Sequence, residues 1–357
     1  MDQVSIVAGE KDHIVAETAA RIFKDLADPQ TINRAKDEDW KPPLWRALAD
    51  SGLTLAWVPE DSGGSGASLA DGFEILGVAG RYALAVPLAE TLLAGWLLAR
   101  AGIEAPAGMM TIAPAQPRDR IAFNNDGTLS GHARDVPFAR GAEHIAVFAG
   151  GTIALVAAKD CRIGDGKNLA GDATSTISFE RAKPLRSTPA PAGFDEMSLM
   201  LMGATARSVE IAGALESILA LSVEYANERV AFERKIGKFQ AVQQNLARLA
   251  GETAAALAAA GSAADTIAQA DSFDDVVFLE AASAKIRTAE AAAEGAAIAH
   301  QVFGAIGFTN EHVLHRFTLR MLSWRDDFGN ESWWAAELGK RIAKRGADEF
   351  WPLVASR

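Results

Sequence analysis

Cysteine is almost absent: Cys161 is the single thiol in 357 residues. One thiol makes no intrachain disulfide framework, and no zinc or iron–sulfur site built from several thiolates of one chain. Basic residues are in deficit, 35 Lys and Arg against 46 Asp and Glu, for a formal net charge of −11. That balance disfavours a dedicated nucleic-acid binder and a polybasic membrane-binding surface. Long apolar runs are missing too. The most apolar stretch, 84–98, is interrupted by Pro87, Glu90 and Gly95 and is too short to span a bilayer. The segment from Met1 to Lys11 carries Asp2, Glu10 and Lys11 and no apolar h-region, so no secretory signal is expected there. Together with the scarcity of cysteine, this points to a cytoplasmic protein. Gly63, Gly64 and Gly66 form a glycine-rich loop, but no Lys-Ser/Thr pair follows, which excludes a P-loop and leaves a tight interhelical turn. No Gly-x-Ser-x-Gly elbow supports Ser-His-Asp catalysis. His312 and His315 stand three apart, but neither His300 nor Glu311 completes a ligand set, so no metal is expected.

What is present is ordinary globular composition, 49% hydrophobic and 23% charged, in a chain long enough for two or three domains and a sizeable core. Residues 1–106 read as helical. Ile14, Thr18, Ile22 and Leu26 repeat at helical spacing. Trp45, Leu48 and Leu53 mark a second short helix, and helical periodicity resumes from Leu69 to Ala101. Residues 107–192 change character. Short runs of Val, Ile, Thr and Phe alternate with turn residues. Asp126-Gly127 and Gly150-Gly151 are hairpin signals. From 193 to 357 the chain is helical again. One long helix covers Gly203 to Glu228, Ala-rich helices run over 241–268 and 277–303, and shorter ones over 314–325 and 333–347. Ser272 or Asp274 is placed to cap the second Ala-rich helix. Ala-rich helices pack closely, so the expected C-terminal unit is a four-helix bundle. The predicted fold is mainly α with a small β domain between two helical ones.

Within that order three segments carry a family resemblance. The run from Arg229 through Phe232, Gly237 and Phe239 to Gln240 resembles the arginine-to-glutamine signature of acyl-CoA dehydrogenases. His300-Gln301 followed by Gly304, Gly307 and Phe308 resembles their second, glycine-rich signature. Trp57-Val58-Pro59-Glu60 with the glycine-rich loop is similar to their N-terminal turn. The three occur in register across nearly the whole chain. Their chemistry suits a flavin dinucleotide. Arg229 can pair bidentately with a pyrophosphate, and Phe232 offers an apolar face to the adenine. Gln240 and Gln301 supply amide donors, and Gly304 and Gly307 allow close backbone approach.

The resemblance implies an acyl-CoA dehydrogenase fold: N-terminal helices, a middle β-barrel or sandwich and a C-terminal four-helix bundle. It implies FAD as cofactor, α,β-desaturation of an acyl-CoA thioester, an electron-transfer flavoprotein as possible acceptor, and an oligomer in which Arg229, Phe232, Phe239, Gln240, Gln301 and Gly304 reach a neighbour's flavin. It also exposes two departures. The family base precedes a glycine that here is Gly329, 28 residues after Gln301, and the residue at that place is Phe328. The alternative base position, 26 residues before Arg229, is Gly203. Neither takes a proton. Asp326, Asp327 and Glu331 lie nearby, and Asp327 is the candidate base if the loop is shifted. Between Trp96 and Trp324 there is no tryptophan, so the Trp-Ile-Thr run that covers the flavin ring in the family is missing. A shortened, base-less chain of this kind resembles one partner in the heteromeric acyl-CoA dehydrogenases of steroid side-chain degradation. The other reading is a catalytically inactive relative that keeps the fold as a binding or scaffold protein.

Overall fold

A computed structural model describes residues 14–35 and 37–355; the segment read above as lacking a secretory signal, Met1 to Lys11, lies outside the described residues. Five helices come first: α1 (Ile14–Leu26), α2 (Pro29–Arg34), α3 (Lys41–Asp50), α4 (Leu69–Arg81) and α5 (Leu88–Arg100). In α1 the fully buried line is Ala19 and Phe23, continued by Ala27. The predicted line Ile14–Leu26 is one residue out of phase with it, and Ile14 is exposed. Phe23 sets the phase by packing against Tyr82, ring centroids 5.7 Å apart.

The expected helix from Leu69 to Ala101 is two helices. Ser68 and Asp71 form a reciprocal capping box that starts α4. The chain breaks where Ala83 takes φ +44°, and α5 resumes after Pro87. Every residue of α5 from Leu88 to Leu98 is buried. Its all-round apolar surface is that of a core helix, flanked by the β domain and the other helices. Likewise α3 ends at Asp50, and Leu53 belongs to a separate short turn after Gly52.

The middle domain has two four-stranded sheets. The first joins β1 (Met110–Ala113), β4 (His144–Ala149), β5 (Thr152–Ala157) and β8 (Arg186–Pro189) in that spatial order. The second joins β2 (Arg120–Phe123), β3 (Leu129–Pro137), β7 (Thr174–Ala182) and β6 (Arg162–Ile163). Only β1 and β4 pair in parallel. Both predicted hairpins are present, one turning at Asp126-Gly127 and one at Gly150-Gly151.

The C-terminal helices are α6 (Glu196–Glu228), α7 (Gln240–Gln269), α8 (Asp275–Phe303), α9 (Leu314–Trp324), α10 (Glu331–Arg345) and α11 (Phe350–Ala355). Asp274 caps α8, accepting from Val276 N at 2.9 Å and Val277 N at 3.1 Å. α6, α7 and α8 pack along their lengths, α9 closes against α6, and α10 lies on α8. α4 reaches α6 so closely that a Cβ on Gly213 would fall on the carbonyl oxygen of Gly77. Because consecutive bundle helices alternate in direction, the end of α6, the start of α7 and the end of α8 share one end of the bundle. No helix among the described residues is long and apolar enough to cross a membrane.

Candidate functional site

The first signature occupies that shared end. Arg229 terminates α6. Its N–H donates to Tyr225 O at 2.9 Å, and its carbonyl accepts from Ile236 N at 2.8 Å. A two-strand ribbon follows, β9 (Val230–Ala231) with β10 (Arg234–Lys235). Its two-residue turn is Phe232-Glu233, at φ +52° and +65°. Positive φ at both central residues is the hairpin geometry that normally takes Asn-Gly. Two residues with side chains pay strain there, and such strain gathers at functional segments. The turn thrusts Phe232 outward, 90% exposed. Phe239 stands edge-on to it at 6.2 Å, with the Arg234 guanidinium 4.0 Å over the Phe239 ring. Gln240 opens α7 and is exposed. The Arg229 side chain is exposed and forms no ion pair with another described residue.

The second signature meets the first through an aromatic clasp. Tyr225 stacks on Phe303 with centroids 4.3 Å apart, and its hydroxyl donates to Phe303 O at 3.4 Å. This brings the end of α8 beside the end of α6. Gln301 is exposed. Gly304 sits at φ +64° with open space where a Cβ would be, so its backbone is approachable. Gly307 is packed against Phe303 and Leu314 instead. Phe308, 73% exposed, stacks on His300 at 4.4 Å. Arg229, Phe232, Phe239, Gln240, Gln301 and Gly304 therefore lie at this one end of the bundle, all of them exposed except the half-buried Phe239, among the described residues. His312 and His300 serve the fold: His312 Nδ1 accepts from Leu314 N at 3.1 Å, and His300 Nε2 meets Thr318 Oγ1 at 3.1 Å.

The two base positions lie elsewhere and face each other. Phe328, fully buried at φ +54°, lies on Gly203 of α6; a Cβ there would come within 2.5 Å of Phe328 Cγ. Phe328 N donates to Ala115 O at 3.0 Å, and Trp334 Nε1 donates to Phe328 O at 3.0 Å. The loop before α10 is thereby tied to the loop after β1. Beside this tie a polar cleft of about 470 Å³ remains, lined by Gln116, Pro117, Arg134, Asp135, Asp326 and Trp333 among others. Buried Asp119 shapes it, accepting from Gln116 N and Arg134 N, each at 3.0 Å. Burial pushes the Asp119 carboxyl above its ordinary range.

Asp327 points away from the cleft. Its Oδ2 accepts from Arg207 Nε at 2.9 Å. Arg207, 2% exposed, also donates to Glu210 at 2.6 Å and to Glu90. One turn beyond Gly203 on α6, this guanidinium spends its three nitrogens on three carboxylates. Lys285 of α8, fully buried, donates to Trp324 O at 2.7 Å on the same side. Burial pushes Glu210 up to about 7 and Asp327 up, although Arg207 opposes both and Lys285 opposes the rise at Asp327. Burial also lowers Lys285. Asp326 is exposed, and Arg325 pairs with Glu331 rather than with either aspartate, Nε to Oε2 at 2.9 Å.

Sequence reasoning missed Arg207, Glu90, Glu210 and Lys285. Their only signal was charge on otherwise apolar helices. Glu90 and Asp327 meet Arg207 across 117 and 120 residues, a separation that no periodicity reports.

Two helical domains around a double-sheeted β domain, with these signatures at one end of the bundle, define a flavoenzyme fold. The family models agree: that for the acyl-CoA dehydrogenase N-terminal domain matches residues 9–106, and that for the acyl-CoA dehydrogenase C-terminal domain matches residues 193–331. The chain belongs to the acyl-CoA dehydrogenase family, FAD-dependent oxidoreductases of CH–CH bonds. It is 28% identical over 314 residues to acyl-CoA dehydrogenase IpdE2 of Mycobacterium tuberculosis, covering 87% of this chain and 91% of that protein. Its fold matches a chain of the ChsE4–ChsE5 complex from Mycobacterium tuberculosis with a TM-score of 0.82 at 22% identity, over 95% of this chain and 99% of that one. A Tcur3481–Tcur3483 steroid acyl-CoA dehydrogenase variant matches with a TM-score of 0.80 at 25% identity, over 93% and 97%.

Proposed function

We propose that this chain is one subunit of a heteromeric, FAD-dependent acyl-CoA dehydrogenase, and that it contributes to a flavin site whose catalytic base stands on the partner. The observation that carries this reading is Phe328 seated on Gly203. The two places from which a family base meets the substrate hold an apolar ring and a bare glycine, packed into each other.

The exposed end of the bundle fits one half of the cofactor. Arg229 offers a free guanidinium fork to an anionic pyrophosphate. Phe232 and Phe239 offer apolar faces, Gln240 and Gln301 offer amide donors, and Gly304 offers open backbone. The ring-binding half fits poorly. The hydrogen bond from Phe328 N to Ala115 O draws the two loops together, and the remaining cleft is lined mainly by polar and charged side chains, Arg118, Arg134, Asp135 and Asp326 among them, with Trp333 at its edge as the one indole of that lining. When bound, the flavin supplies the hydride acceptor, and the proton is taken by a protein carboxylate. In this chain Asp327 is engaged by Arg207 and serves as an anchor rather than as that carboxylate.

The solved relative of two unlike chains, ChsE4–ChsE5, supports a partner of the same family. The steroid enzyme among the structural relatives supports a steroid-derived acyl-CoA as substrate. An electron-transfer flavoprotein is the proposed acceptor, and the cytoplasm the proposed location. The proposed domains are 1–106, 107–192 and 193–357.

The test is expression of the chain alone and together with a homologous chain that carries the family Glu. Flavin absorbance and acyl-CoA-dependent reduction of an artificial acceptor should appear in the pair and be absent from the single chain. A complex that binds flavin without turnover would favour the scaffold reading, and robust turnover by the single chain would overturn the proposal.

A further inference from the structure

Away from both regions, three segments meet around a cavity of about 230 Å³. They are the junction between α2 and α3, the tight loop ending at Asp172, and α9. Arg320 on α9 is fully engaged. Its Nε and Nη2 donate to the two carboxylate oxygens of Asp172 at 2.8 and 2.7 Å, and its Nη1 donates to Ala83 O at 2.7 Å. Arg316, one turn earlier, lines the same cavity. Its Nε is shielded from solvent and has no hydrogen-bond partner among the described residues. The rim carboxylates are exposed and already engaged. Glu38 pairs with Lys41 Nζ at 2.6 Å, and Asp37 accepts from Asp39 N at 3.3 Å. Three cations and three carboxylates line the cavity; Lys41 is paired with Glu38 and Arg320 has taken both oxygens of Asp172, which leaves Arg316 as the cation of that lining without an ion pair among the described residues.

We propose that this cavity binds a tetrahedral oxyanion, inorganic phosphate or the phosphate end of a larger ligand, on the Arg316 guanidinium.

A shielded donor left unpaired costs the full desolvation of that group, more so for a charged one. Water in the cavity leaves the Arg316 guanidinium without an ion pair among the described residues. An oxyanion supplies one, and the planar guanidinium fork matches two of its oxygens. Burial and the neighbouring Arg320 push Arg316 down to about 10, so the group is still a cation at neutral pH. The site joins all three parts of the molecule, since Arg320 ties α9 to the β domain through Asp172 and to the N-terminal helices through Ala83. An anion on Arg316 would brace the same junction.

The test is a titration of the intact protein with inorganic phosphate at constant ionic strength, chloride making up the balance. Heat of binding and melting temperature are both read. One saturable equivalent is expected, with a saturable rise in melting temperature. Arg316→Gln should weaken binding by at least about tenfold, the loss of one charge-assisted bond, and Arg316→Lys should fall between. Saturable binding that survives unchanged in Arg316→Gln overturns the site. So does a wild-type titration without saturable heat, which decides alone if the variant does not fold. Displacement of phosphate by coenzyme A but not by dephospho-coenzyme A assigns the site to a larger ligand; no displacement by either assigns it to the free anion.

Discussion

Phe328 fills the space that a side chain on Gly203 would need. A Cβ built on Gly203 would come within 2.5 Å of Phe328 Cγ and 2.7 Å of Cε1. The ring is held there by its own backbone, with Phe328 N bonded to Ala115 O and Phe328 O bonded to Trp334 Nε1, each at 3.0 Å. The contact makes a piece of core of the two positions where the family resemblance leads one to expect a base.

Core contacts of this kind have a measurable signature. Gly203→Ala should destabilise by about 1–3 kcal/mol through overpacking, and Phe328→Ala by about 3–5 kcal/mol through the cavity it leaves. The double variant should be less destabilised than the sum, because removing the ring makes room for the methyl. Urea denaturation of the four proteins checks this; strict additivity would mean that the two residues do not touch.

Arg207 should be among the most sensitive positions of the chain. Arg207→Leu leaves Glu90, Glu210 and Asp327 buried without their common cation, and breaking a buried ion pair from one side costs about 3–5 kcal/mol. Replacing the exposed Arg248, which pairs with Glu294 at 3.0 Å on the surface, should cost less than about 1 kcal/mol. Parallel denaturation curves of the two variants give the comparison.

The same cluster predicts a pH dependence. Burial raises the Glu210 carboxyl from 4.5 to about 7, so the folded chain holds a proton there that the unfolded chain releases near 4.5. The group's contribution is complete below about pH 4.5 and is lost as pH rises through 7. His300 and His312 act in the opposite sense, since burial lowers both and favours their neutral forms. The difference between wild type and Glu210→Gln isolates the carboxyl. Wild type should lose stability relative to the variant between pH 5 and about 8, and melting curves across that range check it. A pH-independent difference would place the proton elsewhere in the cluster.

Much of this molecule was written locally and some of it was not. The long helices of the bundle, the Asp274 cap and both hairpins rest on neighbours a few residues apart, and each lies within a few residues of where periodicity and turn chemistry put it, except that α6 starts at Glu196, seven residues before the expected Gly203. The break between α4 and α5 was not placed, although Pro87 interrupts the apolar run just before α5, because apolar residues continue through Ala83, where the backbone changes hand. The phase of α1 was misread because Phe23 answers to Tyr82, far along the chain. The signature residues could be named from their motifs, and their gathering at one end follows from helix direction. The ion cluster around Arg207 could not be named, since its carboxylates come from three separate segments.

Flavin retention tests the exposed end of the bundle. In the assembled complex, Arg229→Ala removes a charge-assisted hydrogen bond worth about 1.5–3 kcal/mol, so flavin affinity should fall at least about tenfold. Arg229 makes no side-chain contact that the fold depends on, so its melting temperature without flavin should be unchanged. Absorbance of bound flavin after gel filtration gives the first quantity and calorimetry of the apoprotein the second. Undiminished flavin would remove Arg229 from the site.

The hardest case is Asp327, the acid nearest to where a base belongs. A positioned general base contributes about 10²–10⁴-fold in rate, so its removal cannot be hidden in an assay. The side chain is spent on Arg207 at 2.9 Å, and Phe328, the next residue, fills the space toward Gly203. For Asp327 to reach a substrate, the loop would have to give up the Phe328–Ala115 hydrogen bond and leave Arg207 with an unmatched charge. Asp327→Asn keeps an acceptor oxygen for the guanidinium and removes the basic carboxylate. In the assembled enzyme, turnover with a panel of acyl-CoA thioesters should therefore fall by less than about threefold, well below the loss expected of a base. The partner's Glu→Gln change should abolish it. A loss of 10²-fold or more in Asp327→Asn, with flavin content and melting temperature unchanged, would make Asp327 the base and this chain an active dehydrogenase in its own right.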